Sequence, residues 1–75
     1  MSTSPDALVT TLSRWLARHV DDAQLRTEVA AADTTAFSPD QAEAVDELRE
    51  ELERGNGRGD LEMVVRETLE ALALG

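Results

Sequence analysis

The stretch SPDQAEAVDELREELERG, residues 38 to 55, decides the fold. It opens with a helix start signal. Ser38 can cap, Pro39 suits the first helical position, and Gln41 stands where it can close a capping box with Ser38. Phe37, the only phenylalanine, precedes the cap and is placed to pack back onto the helix as a hydrophobic staple. At the helical period, Gln41, Ala44, Val45, Leu48 and Leu52 share one inner face. Asp40, Glu43, Asp46, Glu47, Glu50, Glu51 and Glu53 cover most of the rest. Arg54 falls in the last turn, and Gly55 can take the left-handed stop conformation. The spacing predicts a helix over 39–54. Like charges at Glu43/Glu47, Asp46/Glu50 and Glu47/Glu51 each cost about 0.2–0.5 kcal/mol at low salt, and Glu50/Arg54 offsets one of them. Added salt should therefore stabilise this helix by screening.

Downstream lies ERGNGRGDLE, residues 53 to 62. A phosphate loop would need a Lys and a hydroxyl after its glycines, and a strand before them. Neither is present, and Asp60 would face the phosphate. A calcium loop needs several acids at alternate positions, and the glycine loop itself, residues 55–60, holds only Asp60. The Arg58-Gly59-Asp60 triplet resembles the integrin-recognition tripeptide, a three-residue match close to chance. The favoured reading is a turn between two helices. Gly55 ends one helix and Asp60 caps the next. That next helix is expected over about 61–73, with Leu61, Val64, Val65, Thr68, Leu69 and Leu72 inward. Glu62, Arg66 and Glu70 form a ladder on the other side, and Met63 and Leu74 point outward with Glu67.

Upstream, Thr34 and Thr35 disfavour helix and mark a connector. DDAQLRTEVAAAD predicts a helix over about 22–32 after a break at Asp21, with Leu25, Val29 and Ala32 on a narrow stripe. SPDALVTTLSRWLARHV predicts a first helix over about 5–20. Ser4 caps it, Pro5 follows, and Asp6 suits the positive end of the helix dipole. Leu8, Val9, Leu12, Trp15, Leu16, His19 and Val20 share its apolar face. The fold class is therefore all-α: a small bundle of three to four amphipathic helices joined by short loops, in one domain spanning 1–75.

The chain has 75 residues and a net charge of −9, with no cysteine, no lysine, one histidine and seven arginines. A chain this short buries only roughly 60% of its unfolded surface, which leaves little area for a deep substrate pocket. Without cysteine there are no disulfides, thiolate nucleophiles or cysteine zinc sites. No apolar run approaches a membrane span, and the first residues lack a secretory pattern, so the expected location is cytoplasmic. The charge is uneven. Residues 1–20 carry Asp6, Arg14 and Arg18, whereas residues 21–75 carry fifteen acids and five arginines. Such a surface repels nucleic acid and anionic membranes. The composition resembles that of salt-adapted archaeal proteins, a resemblance that identifies no family. The sharper reading is an anionic face that imitates nucleic acid or docks a basic partner.

Three constellations merit attention. His19 near a helix end is read either as a proton switch, its ordinary pKa being about 6.5, or as a half-buried ring bonded to a helix-end carbonyl or Asp22. The second is favoured. Trp15 with Arg14 and Arg18 combines the residue types commonest at interface hot spots, although so small a core also needs its Trp inside. The acids Glu43, Glu47 and Glu50, with exposed Met63, mark the opposing face. A divalent cation would find too few converging oxygens along the 40–53 acid run. No nucleophile elbow or cofactor motif occurs, and neither Ser13 nor Ser38 stands in a carrier-type setting. The expected function is a non-catalytic helical protein–protein interaction module: a regulator, adaptor or small subunit binding a protein partner or a second copy, without cofactor. The alternative is an acidic decoy that inhibits a basic protein.

Overall fold

Helix α3 runs Pro39–Arg54, the span its sequence predicts. The computed structural model describes residues 3–55 and 57–75. In it Ser38 Oγ accepts from Gln41 N, and Gln41 Oε1 accepts from Ser38 N at 3.0 Å, so the capping box is closed in both directions. Gly55 ends the helix with φ 66° and donates to Glu51 O. Phe37 is buried in the core, and Ala42 in the first turns of α3 packs against the same cluster.

Three further helices complete the described chain: α1 Pro5–Leu16, α2 Asp22–Ala31 and α4 Arg58–Leu74, with no strand among the described residues. The principal packings are α1 on α2, α2 on α3, α3 on α4 and α4 on α1, which closes a ring of four helices. The bundle measures 29 × 19 × 19 Å. Its core comprises Leu8, Leu12 and Trp15 from α1, Leu25 and Val29 from α2, Val45, Leu48 and Leu52 from α3, Leu61, Val65 and Leu72 from α4, and Phe37. These are the stripes the helical period picks out, so burial of one face per helix drives the assembly. Thr68 is buried among them, its hydroxyl donating to Val64 O at 2.8 Å.

Two helix ends differ from the sequence expectation. α1 stops at Leu16, not near residue 20. Arg18 takes the left-handed conformation, φ 66°. His19 N then donates to Arg14 O at 2.9 Å and Arg18 N to Trp15 O at 3.0 Å. That pair of bonds is a Schellman closure built without glycine. No local signal announces it, which is why the apolar period ran on to His19 and Val20. Reversing the chain here lets Asp21 cap α2 by accepting from Gln24 N at 2.8 Å. An L-residue in this conformation costs about 1–2 kcal/mol. Arg18→Gly should therefore raise stability by about 1 kcal/mol and the melting temperature by about 4–8 °C. A melt that falls instead would show that the Arg18 side chain holds something its exposure does not suggest.

α4 begins at Arg58, three residues before its expected start, with Gly57 at φ 101° in the cap position and Leu61 N donating to Gly57 O. Asp60 is thus not the cap. It lies in the first turn, where the dipole still favours an acid. The glycine run does turn the chain between two helices, and Asn56 within it lies outside the described residues. The Arg-Gly-Asp triplet is wound into helix rather than displayed on a loop.

Candidate functional site

The helix ends organise the polar chemistry of this molecule. α1 and α2 both end without glycine, and an arginine from the α3–α4 half reaches each end. At the end of α1, the Arg58 guanidinium stacks 4.2 Å from the centroid of the Trp15 ring. Its Nη2 donates to Trp15 O at 3.4 Å, and its Nη1 lies 3.5 Å from Asp22 Oδ1. Arg58 Nε stands 3.4 Å from Glu62 Oε1, one helical turn on, as an ion contact without hydrogen-bond alignment. Asp22 Oδ1 also accepts from Trp15 Nε1 at 2.8 Å. The indole is therefore satisfied at its edge and covered on one face. With α4 helical from Arg58, Arg58 and Glu62 fall one turn apart and meet.

At the end of α2, Arg49 Nε donates to Val29 O at 3.2 Å and Arg49 Nη2 to Ala32 O at 2.6 Å. Its Nη1 meets Asp46 Oδ1 at 3.3 Å. α2 has no basic residue in its own last turn, so α3 supplies the positive charge that the negative end of the dipole favours. Gln41, which is uncharged, supplies only a donor to the end of α4, its Nε2 donating to Leu72 O at 3.1 Å. In the connector, the Thr35 hydroxyl and then the Thr35 amide donate to Asp33 and hold its carboxyl below the ordinary aspartate value. That contribution is present above the ordinary pKa and is lost as pH falls through the lowered one.

The sequence candidates separate. Trp15 has 0% exposure and is the largest fully buried side chain, so it forms core and presents no contact surface. Arg14, Arg18 and His19 are exposed beside it. His19 leaves the apolar face because the Schellman turn carries it outward, and Asp22, one of the two partners expected for it, accepts through Oδ1 from the indole. Glu43, Glu47 and Glu50 are exposed on α3, and Glu50 pairs with Arg54 at 3.6 Å as its spacing predicts. Glu51 departs from the expected outer face. It is 9% exposed and lines a small pocket with Asp22, Arg26 and Arg58. Met63 is exposed, as expected.

The structure brings Asp40, Glu43 and Glu47 of α3 together with Glu67 of α4 around one shallow groove of about 220 Å3, floored by Ala44, Thr68 and Ala71. No basic residue lines it. The sequence shows that α3 is acidic, but only the α3–α4 packing brings Glu67 to the same groove. Among the described residues no group of His, Cys, Asp and Glu is arranged to hold a metal ion, and no helix is long and apolar enough to cross a membrane. Compared with known protein families, characterised proteins and solved structures, the chain matches none.

The acidic face also sets a salt response. Relieving the exposed Glu43/Glu47 and Asp46/Glu50 pairs on α3, less the Glu50/Arg54 attraction that salt also screens, is worth about 0.5 kcal/mol, or about 2–4 °C in a chain of this size. Raising KCl from about 0.05 M to about 1 M, where the Debye length is about 3 Å, should raise the melting temperature by that amount. A falling melt would mean that ion pairs outweigh the repulsion.

Proposed function

We propose that this chain is a non-catalytic interaction module whose α3–α4 groove receives a basic segment of a protein partner. The observation that carries the reading is the groove itself: four carboxylates from two helices around a small apolar floor, with no arginine to neutralise them. A helical segment with Arg or Lys on its flanks and a short apolar strip matches that arrangement. The rest of the molecule supports it. Arg49 and Arg58 serve the fold, and the only histidine is exposed on a turn. A regulator, adaptor or small subunit would work in this way.

Titration calorimetry with a short amphipathic Arg/Leu peptide tests the reading. Binding at about 0.1 M KCl should weaken at least about tenfold in the variant Glu43→Gln, Glu47→Gln, Glu67→Gln, and again at about 1 M KCl. Equal binding by the variant sinks the assignment of the groove.

The joining of α3 and α4 acids around one groove also supports a second reading, an acidic decoy for a nucleic-acid-binding protein. The two part experimentally. A decoy displaces duplex DNA from a basic DNA-binding domain, whereas an adaptor binds the basic peptide and leaves such a complex intact.

A further inference from the structure

Two further surface features remain, the second sharing only Glu67 with the acidic groove. The first is an open depression of about 710 Å3 between α2 and α3. Val29, Ala30 and Leu52 make its apolar floor, and Arg26, Arg49 and Glu53 stand around it. Arg26 is exposed and has no ion pair among the described residues. The second is the outer stripe of α4. Met63 and Leu74 are the large hydrophobic side chains left exposed among the described residues, at 62% and 81%. They stand about three helical turns apart, with Glu67 and Glu70 on the same line between them.

The features are complementary. The groove offers apolar floor under two guanidiniums and one carboxylate. The stripe offers apolar ends around carboxylates, and Glu62, Glu67 and Glu70 share that flank of α4 with one guanidinium, Arg66. Within one chain they cannot meet, because α4 packs on α1 and α3 while the groove lies between α2 and α3. A second copy carries each half that the first leaves uncovered.

We propose that the outer stripe of α4 in one copy seats in the α2–α3 groove of a second copy. Met63 and Leu74 lie over the Ala30–Leu52 floor, and Glu67 and Glu70 face Arg26. The two patches differ, so the contact is head to tail. Two copies of net charge −9 repel at low ionic strength. At about 1 M salt, where the Debye length falls to about 3 Å, that long-range repulsion is screened, whereas the apolar contact of Met63 and Leu74 is not, so the association belongs there.

Sedimentation of the full chain at about 1 M KCl tests this with two variants that disable one side each. Met63→Glu with Leu74→Glu spoils the stripe, and Ala30→Glu puts a carboxylate into the groove. All three positions are exposed and the like-charge pairs that new glutamates make with Glu67 and Glu70 are screened at this salt, so both variants should melt like the parent at about 1 M KCl. The parent should self-associate with rising concentration, and each variant should do so at least about tenfold more weakly. Mixed one to one, the variants should form a heterodimer, because one retains the groove and the other the stripe. A parent that stays at 8.2 kDa at millimolar concentration overturns the proposal. So does a variant that associates like the parent, or a mixture that stays monomeric. Glu67 is the one residue shared with the acidic groove; the variants here change only Met63, Leu74 and Ala30, none of which lines that groove, so the peptide titration and this experiment fail separately.

Discussion

Replacing Trp15 with alanine should lower the melting temperature by about 15–30 °C and leave much of the chain unfolded at 25 °C. Truncating a buried Trp costs about 3–5 kcal/mol. A chain of 75 residues has only about 4–11 kcal/mol to lose, and each kcal/mol moves the melt by about 4–8 °C. The loss is large here because Trp15 does three things at once. It fills the core at 0% exposure, anchors the start of α2 through Nε1 and Asp22, and carries the Arg58 guanidinium on its face. Trp15→Phe separates these roles. It keeps an aromatic face for Arg58 and most of the apolar volume but removes the indole donor, and should cost about 1–2 kcal/mol. Circular dichroism melts of the two variants check this. A shift under about 5 °C for the alanine variant would mean that the indole is not the centre of the core.

The second large effect belongs to Arg49. Arg49→Met keeps the apolar stem but strips the donors from Val29 O and Ala32 O. Hydrogen bonds from a charged group are worth about 1.5–3 kcal/mol, and Met cannot answer the negative end of the α2 dipole. The expected cost is about 2–3 kcal/mol, with the loss of amide protection greatest in α2. Asp46→Ala is the control. It removes only an exposed pair three residues apart on one helix, for which about 0–0.5 kcal/mol is expected. If Arg49→Met melts with the parent, water caps α2 as well as the guanidinium does. A loss of protection spread evenly over all four helices would instead mean that α2 has no stability of its own to lose.

Read along the chain, the four inner faces were legible because burial of one side of a helix imposes a period on the apolar residues. Leu25, Val29 and Ala32 picked out α2 even though it is alanine-rich. The start of α3 was legible down to its hydrogen bonds, since a capping box is a local exchange between residues three apart. Its end was legible because Gly55 is the residue that takes the left-handed position without strain. Met63, exposed between Glu62 and Val64, followed from the same period.

Arg49 and Arg58 were not legible, because their partners are carbonyls and a ring twenty and forty-three residues away in sequence. In a list of residues both look like ordinary surface charge. His19 was misplaced and Asp60 misread as a cap for a related reason. Each lies beside the contact between Trp15 near the end of α1 and Arg58 at the start of α4, which no local pattern announces. Glu51 was placed outside because the helical period alone does not reveal the pocket between α2, α3 and α4 that encloses it.

The amino-acid sequence by itself determined that this protein is all-α, where its helices lie, which face of each is inward, and that its outer surface is acidic. Those properties depend on residues within a few positions of one another. Only the tertiary structure decided where α1 stops and α4 starts, how α2 is capped, and that carboxylates of α3 and α4 share one groove. Those outcomes depend on through-space contacts between helix ends. A guanidinium meeting the carbonyls of a distant helix has no local sequence pattern to announce it.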